Sequence, residues 1–191
     1  FAPLRRQANS QPRATTGRPA IQEQVIHMLD RPLPTQLPAR TMRSFLGIED
    51  PKVVPILRDP QQTTEESEAL FYFPGCGSER LFSEVGMATL AMLYDQGVQT
   101  VIPPSYLCCG YPQAASGDAA LGLQISTDNQ VLFHRMANTL NYLDIKTVLV
   151  SCGTCLDQLL LYHLERIFPG CRIIDIHEYL LERGVTLHTD P

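Results

Sequence analysis

The chain has 191 residues, with 15 basic and 20 acidic side chains giving a formal charge of −5. That length suits one domain of ordinary size plus an extension, and 44% hydrophobic residues are enough for a core. The acidic balance speaks against a nucleic-acid surface, which shows a basic stripe, and no apolar run approaches the roughly 18–20 residues that span a bilayer. The chain opens at Phe1 without a charged-then-apolar leader, so it carries no legible signal peptide and reads as a piece of something longer.

Composition changes near residue 66. Residues 1–66 hold nine of the 15 prolines, no cysteine, and nine basic against seven acidic residues, net +2. Residues 67–191 hold all six cysteines, with six basic against thirteen acidic residues, net −7. The first 20 residues lack apolar periodicity and are expected to be flexible. Ile21, Val25, Ile26 and Leu29 share one side of a short predicted helix. Prolines at 32, 34, 38, 51, 55 and 60 then forbid any long regular element. Residues 1–66 are thus expected to be a Pro-rich linker or wrapping arm that adds no strand, and residues 67–191 the α/β domain. Deleting residues 1–60 would then leave the core folded.

Beyond residue 66, strands and helices alternate. Ala69–Phe73 is a buried strand by its apolar and aromatic run. Residues 79–96 follow as a helix, with Leu81, Val85, Ala88 and Met92 at helical spacing and Gly97 as C-cap. Thr100–Ile102 is a second strand, stopped by Pro103 and Pro104. Thr127-Asp-Asn-Gln130 reads as a capping box opening a helix to about Leu143. Thr147–Val150 is the third strand. Residues 154–167 are a helix with Leu156, Leu159, Leu160, Leu164 and Ile167 as its stripe. Arg172–Ile176 is the fourth strand, and Glu178–Arg183 a closing helix. Such alternation implies right-handed crossovers and a doubly wound, four-stranded parallel sheet of Rossmann-like type.

This topology gives the cysteines their meaning. Cys76 follows the first strand, Cys108 and Cys109 the second, Cys152 and Cys155 the third. All five fall beyond the carboxyl ends of parallel strands, where open α/β sheets build their sites. Cys171 precedes the fourth strand and belongs to the opposite edge. Several chemistries compete for the five. Ordinary buried thiols would not gather at one edge. A disulfide framework belongs to small secreted domains without a full core. A thioredoxin-like role for Cys152-Gly-Thr-Cys155 leaves Cys76, Cys108 and Cys109 unexplained. Structural zinc would use four of the five, although its ligands usually come in close sequence pairs. An iron–sulfur cluster accounts for the most residues. Gly75, Gly77, Gly110 and Gly153 leave backbone N–H groups free to face sulfur, and helix N-termini add positive potential.

The segments Phe73-Pro-Gly-Cys-Gly77, Leu107-Cys-Cys-Gly110 and Ser151-Cys-Gly-Thr-Cys155 carry a specific pattern. Through them, residues 69–183 resemble the cysteine-rich CCG domain found in the B-type subunit of heterodisulfide reductase and in glycolate and lactate oxidase iron–sulfur subunits. The resemblance implies Cys76, Cys108, Cys109, Cys152 and Cys155 as metal ligands. It also implies a [4Fe-4S] cluster of non-cubane type, or zinc as in some copies of the domain. The wider order of blocks is similar to that of large FAD-linked oxidoreductases, in which FAD and ferredoxin-like domains precede the CCG region. It implies the non-flavin redox part of such an enzyme, oxidising a 2-hydroxy acid such as glycolate or lactate. Thiol–disulfide chemistry of the heterodisulfide reductase kind and a structural zinc-binding interaction domain are the alternatives. The implied partners are the flavoprotein and ferredoxin-like domains and a second CCG copy. The implied setting is the cytoplasm, or the inner membrane face reached through partners. The chain departs from the family in carrying one CCG copy instead of two, and a longer gap between Cys109 and Cys152.

Smaller signals have simpler readings. His177 follows the fourth strand and is expected to be a rim residue capping the last helix; His134 and His163 are expected on helix surfaces. Asp118 and Asp128 are candidate helix caps. Tyr111 and Pro112 are expected to form a lid over the cysteines. The sequence has no phosphate loop, GxGxxG motif or serine nucleophile elbow.

Overall fold

The computed structural model describes residues 38–186, part of the compact unit that runs from Pro38 to the C-terminus. The helix expected over Ile21–Leu29 and the first 20 residues lie outside them. Five strands form one sheet: β1 (Ile56–Leu57), β2 (Ala69–Phe73), β3 (Gln99–Val101), β4 (Thr147–Val150) and β5 (Arg172–Asp175). Their order is β1-β3-β2-β4-β5. β3, β2, β4 and β5 run parallel, in registers that pair Phe71 with both Val101 and Val148, and Val148 with Ile173.

β1 corrects the expected four-stranded parallel sheet and the expectation that residues 1–66 add no strand. It pairs antiparallel with β3, Ile56 opposite Val101, and Ile102 N–H donates to Pro55 O at 3.0 Å. Proline at its start and soon after its end confines such a segment to an edge, where it still covers the open side of β3. Upstream, α1 (Met42–Leu46) is capped by Thr41, whose hydroxyl accepts from Ser44 N–H, and closed by Gly47 at φ 67°. Met42 is fully buried against Leu70, Tyr72 and Leu90. Truncation at residue 60 would therefore remove Met42 from the core and an edge strand from the sheet, so the premise that this segment adds no strand does not hold.

Each central strand is buried on both faces, as a covered parallel sheet requires. Ala69, Phe71, Phe73, Val148 and Val150 face α4 (Ala119–Thr139) and α5 (Gly153–Leu160); Leu70, Tyr72 and Leu149 face α2 (Ser83–Asp95) and α6 (Ile176–Glu182). The β2–β3 crossover thus lies on one face, and those from β3 to β4 and from β4 to β5 on the other. β2 and β4 are neighbours whose onward crossovers leave in opposite directions on opposite faces, which makes the carboxyl edge between them a topological switch point.

Helix limits depart from the periodicity reading at four places. A π-helical turn (Gly77–Leu81) precedes α2, and the buried side of α2 is Ser83, Gly86, Thr89, Leu90 and Leu93, leaving Val85 exposed. α4 begins at Ala119 under an Asp118 cap, eight residues before the expected box, so Thr127 and Asp128 lie inside the helix. Its buried Gly122, Ser126, Asn129, Phe133 and Met136 make a stripe of mixed polarity that a hydrophobic count does not register. The helix expected over 154–167 ends at Leu160; His163 takes φ 51° and a 3-10 turn (Leu164–Arg166) follows, so Leu160 is exposed while Leu164 and Ile167 reach the core. Ile176 opens α6 instead of closing β5, because the Asp175 carboxylate caps the helix through His177 N–H.

Candidate functional site

At the carboxyl edge of β2, β3 and β4, the chain makes three turns that deliver cysteine side chains. After β2, Gly75 takes φ 61° and passes so close to the third turn that a Cβ on it would stand 2.7 Å from Cys155 Sγ. Only glycine admits both the conformation and the approach. Cys76 is the N-cap of the π-helical turn, a helix irregularity frequent at functional sites. After β3, Pro103 and Pro104 end the pairing and the chain reaches Cys108-Cys109-Gly110. Gly110 takes φ 89°, and its α-carbon rests against α4: a Cβ there would lie 2.7 Å from Gly122 O. After β4, Cys152 is the N-cap of α5, and Cys155 lies one turn into that helix, buried.

Four of the five thiols form a row of side-chain contacts, Cys76 to Cys108, Cys108 to Cys109 and Cys109 to Cys155. Cys152 stands on the same edge outside that row. Among the described residues no three His, Cys, Asp or Glu side chains are arranged to hold one metal ion. Burial and the shared contacts favour the protonated form of Cys76, Cys108 and Cys109. Hydrogen bonding to Cys109 and burial push the Cys108 thiol far up. For Cys109 the Cys108 contact pulls down, but the Cys155 contact and burial prevail, and the thiol is pushed up to about 12. Burial first, then Cys108, raises Cys76. Thiolates crowded in this way call for cationic charge among them.

The surroundings are polar behind the row and aromatic at its rim. Cys108 Sγ donates to Gln113 Oε1 at 3.5 Å. Asn129 Nδ2 donates to Cys108 O at 2.7 Å and to Tyr162 Oη at 3.0 Å, and Tyr162 Oη donates to Cys109 O at 2.8 Å. Behind Cys76 and Cys152, Ser151 Oγ is 2.7 Å from Tyr72 Oη and 2.8 Å from Ser78 Oγ. The buried carboxylate of Glu79, in the turn after Cys76, faces Arg43 of α1 with Nε 3.2 Å from Oε2. At the rim, the Arg80 guanidinium carbon lies 4.1 Å from the Tyr106 ring centroid.

The remaining candidates separate clearly. Gly77 and Gly153 have open space where a side chain would be. Cys171 precedes β5 at the amino edge, its N–H donating to Phe168 O at 3.0 Å. His177 is exposed, with Nδ1 2.6 Å from Asp175 Oδ1; Asp175, not the histidine, caps α6. His134 is exposed on α4, and His163 marks the break after α5. Tyr111 and Pro112 open α3 (Tyr111–Ala115), a short helix with no buried residue; the contact from that segment is made by Gln113. Gln113, Asn129, Tyr162 and Ser151 do not stand out in the sequence. Ser151 adjoins Cys152, and Asn129 breaks the apolar stripe of α4, but nothing local marks Tyr162.

Fold and site together define an α/β domain with a thiol row at a sheet switch point. Residues 70–160, just under half of the chain, match the CCG cysteine-rich domain family. The chain is 27% identical over 120 residues to an uncharacterized iron–sulfur protein of Methanococcus maripaludis, covering 63% of this chain and 22% of that protein. It is 31% identical over 84 residues to the probable glycolate oxidase iron–sulfur subunit of Bacillus subtilis, 44% of this chain and 17% of that one. It is also 31% identical over 113 residues to a subunit of the fumarate reductase (CoM/CoB) of Methanothermobacter marburgensis, 59% of this chain and 21% of that one. The chain thus spans about a fifth of the length of these relatives. No solved structure matches it significantly. No helix among the described residues is long and apolar enough to cross a membrane.

Proposed function

We propose that this domain is an iron–sulfur electron-transfer module of a flavin-linked oxidoreductase acting on a 2-hydroxy acid such as glycolate or lactate. The observation that carries the reading is the row of thiols from Cys76 to Cys155 at the switch point. Five thiols at one edge exceed the four ligands that a tetrahedral ion takes and suit a centre of several metal atoms better. The similarity to proteins named as iron–sulfur subunits supports the same chemistry. The site is all sulfur: Cys76, Cys108, Cys109 and Cys155 would hold the cluster, and Cys152, at the helix N-cap beside them, is the fifth candidate ligand.

When bound, a cluster supplies one-electron transfer between a flavin and an acceptor. The chain's own residues bind and orient it. Gly75 lets the backbone close on the Cys155 side, and Gly110 seats the cysteine pair against α4. The N-terminus of α5, with Cys152 as its N-cap, brings its positive end to the same edge as the thiols. Flavoprotein and ferredoxin-like domains, in the same or an associated chain, are the partners in this reading. Anaerobically purified protein is expected to contain iron and acid-labile sulfide and to absorb in the visible. Cys109→Ala is expected to lose all three. Stoichiometric zinc without sulfide, colourless because Zn²⁺ is d¹⁰, would overturn the reading.

A further inference from the structure

Neighbouring residues in extended chain point their side chains in opposite directions, yet Cys108 and Cys109 both join one row. The carbonyls of this segment show how. Cys108 O accepts from Asn129 Nδ2 at 2.7 Å, Cys109 O from Tyr162 Oη at 2.8 Å, and Gly110 O from Ala114 N at 3.2 Å. In a trans peptide the N–H points opposite to the C=O. Anchoring the Cys109 and Gly110 carbonyls therefore turns the N–H groups of Gly110 and Tyr111 away from those anchors, and they lie against the sulfurs of Cys108 and Cys109 respectively. Asn129 and Tyr162 are both buried, come from different segments, and bond each other at 3.0 Å, so the two anchors act as one unit. The donors are consistent: one amide proton of Asn129 goes to Cys108 O and the other to Tyr162 Oη, which spends its own proton on Cys109 O.

We propose that Asn129 and Tyr162 are positioning residues that hold the Cys108–Cys109 and Cys109–Gly110 peptides so that both neighbouring thiols, and the Gly110 N–H beside Cys108, face one site. The bond from Tyr162 also polarises the Cys109–Gly110 peptide and strengthens its N–H toward Cys108, because chained hydrogen bonds reinforce one another. Hydrogen bonds to ligand sulfur set the potential of a cluster. This second consequence rests on the iron–sulfur reading above; the clamp itself does not.

Tyr162→Phe keeps the ring and removes only the hydroxyl. In reduced, metal-free protein, alkylation of Cys109 by iodoacetamide, read by peptide mass spectrometry, is expected to become about five-fold faster. That factor corresponds to one neutral hydrogen bond of about 1 kcal/mol. Labelling of Cys171 should stay constant, as should every rate in Tyr142→Phe, a change at an exposed tyrosine. Asn129→Leu should accelerate Cys109 further; if that variant does not fold, Tyr162→Phe decides alone. Equal Cys109 rates in wild type and Tyr162→Phe would overturn the clamp, whatever metal the protein holds. In the iron-loaded protein, Tyr162→Phe should keep iron and sulfide content but shift the midpoint potential downward, since weaker N–H donors stabilise the reduced, more negative state less. An unchanged potential beside faster alkylation would overturn the tuning. Zinc in place of iron would overturn the functional reading and leave the clamp to the alkylation result.

Discussion

Gly110→Ala is the most demanding test of how the cysteine pair is seated. Two penalties meet at this residue. Its φ of 89° is one that an L side chain adopts at a cost of about 1–3 kcal/mol. The new methyl would stand 2.7 Å from Gly122 O and 3.2 Å from Ser126 Oγ, and the first is helix backbone that cannot rotate aside. Gly122 is nearly as close from its own side, with Gly110 O 3.0 Å from where its Cβ would be. Forcing a methylene into a packed contact costs about 1–3 kcal/mol. Together the variant should lose about 2–6 kcal/mol. At about 2–4 °C per kcal/mol for a chain of this size, that is a fall in Tm of roughly 4–24 °C. The assay is thermal and urea unfolding of reduced, metal-free protein, so that loss of a ligand does not enter the comparison. A Gly110→Ala protein within about 0.5 kcal/mol of wild type, the range of a neutral surface change, would refute the close seating of the cysteine pair on α4.

Three further outcomes follow from the same structure. Cys171→Ser, at the amino edge of the sheet, should leave metal content unchanged, whereas Cys155→Ser should abolish it; elemental analysis of the two variants showing the reverse would undo the edge assignment. Met42→Ala should cost about 2–5 kcal/mol in urea unfolding, the usual range for emptying a fully buried Met site, and a neutral result would detach α1 from the core. Burial and the Glu68 carboxylate raise the Tyr179 phenol, whose hydroxyl donates to Glu68 Oε2 at 2.9 Å. The folded state then keeps a proton that the unfolded chain releases near pH ~10, so stability declines as pH rises beyond that value. Tyr179→Phe should flatten this alkaline decline in urea titrations at successive pH values, and an unchanged slope would contradict the shift.

The parallel strands and the edge occupied by each cysteine were legible in the residues alone. Ala69–Phe73 and Thr147–Val150 are short apolar runs bounded by turn signals, and β2 and β4 have those same limits. Once strands alternate with helices, crossover geometry places Cys76, Cys108, Cys109, Cys152 and Cys155 at one edge and Cys171 at the other without any tertiary information. What stayed hidden was decided by contacts distant in sequence. β1 is two residues long and flanked by prolines, so nothing local marks it as a strand; it exists because β3 left an edge to pair. α4 starts at Asp118 because its buried stripe begins with Gly122 under the Gly110 turn, a close approach that hydrophobic periodicity does not weigh. The edge of a sheet to which a cysteine belongs follows from chain order, but the partner of its carbonyl does not. Asn129 lies 21 residues after Cys108 and Tyr162 lies 53 after Cys109, and only the packing of α4 and the turn after α5 against the same strands brings them to those two peptides.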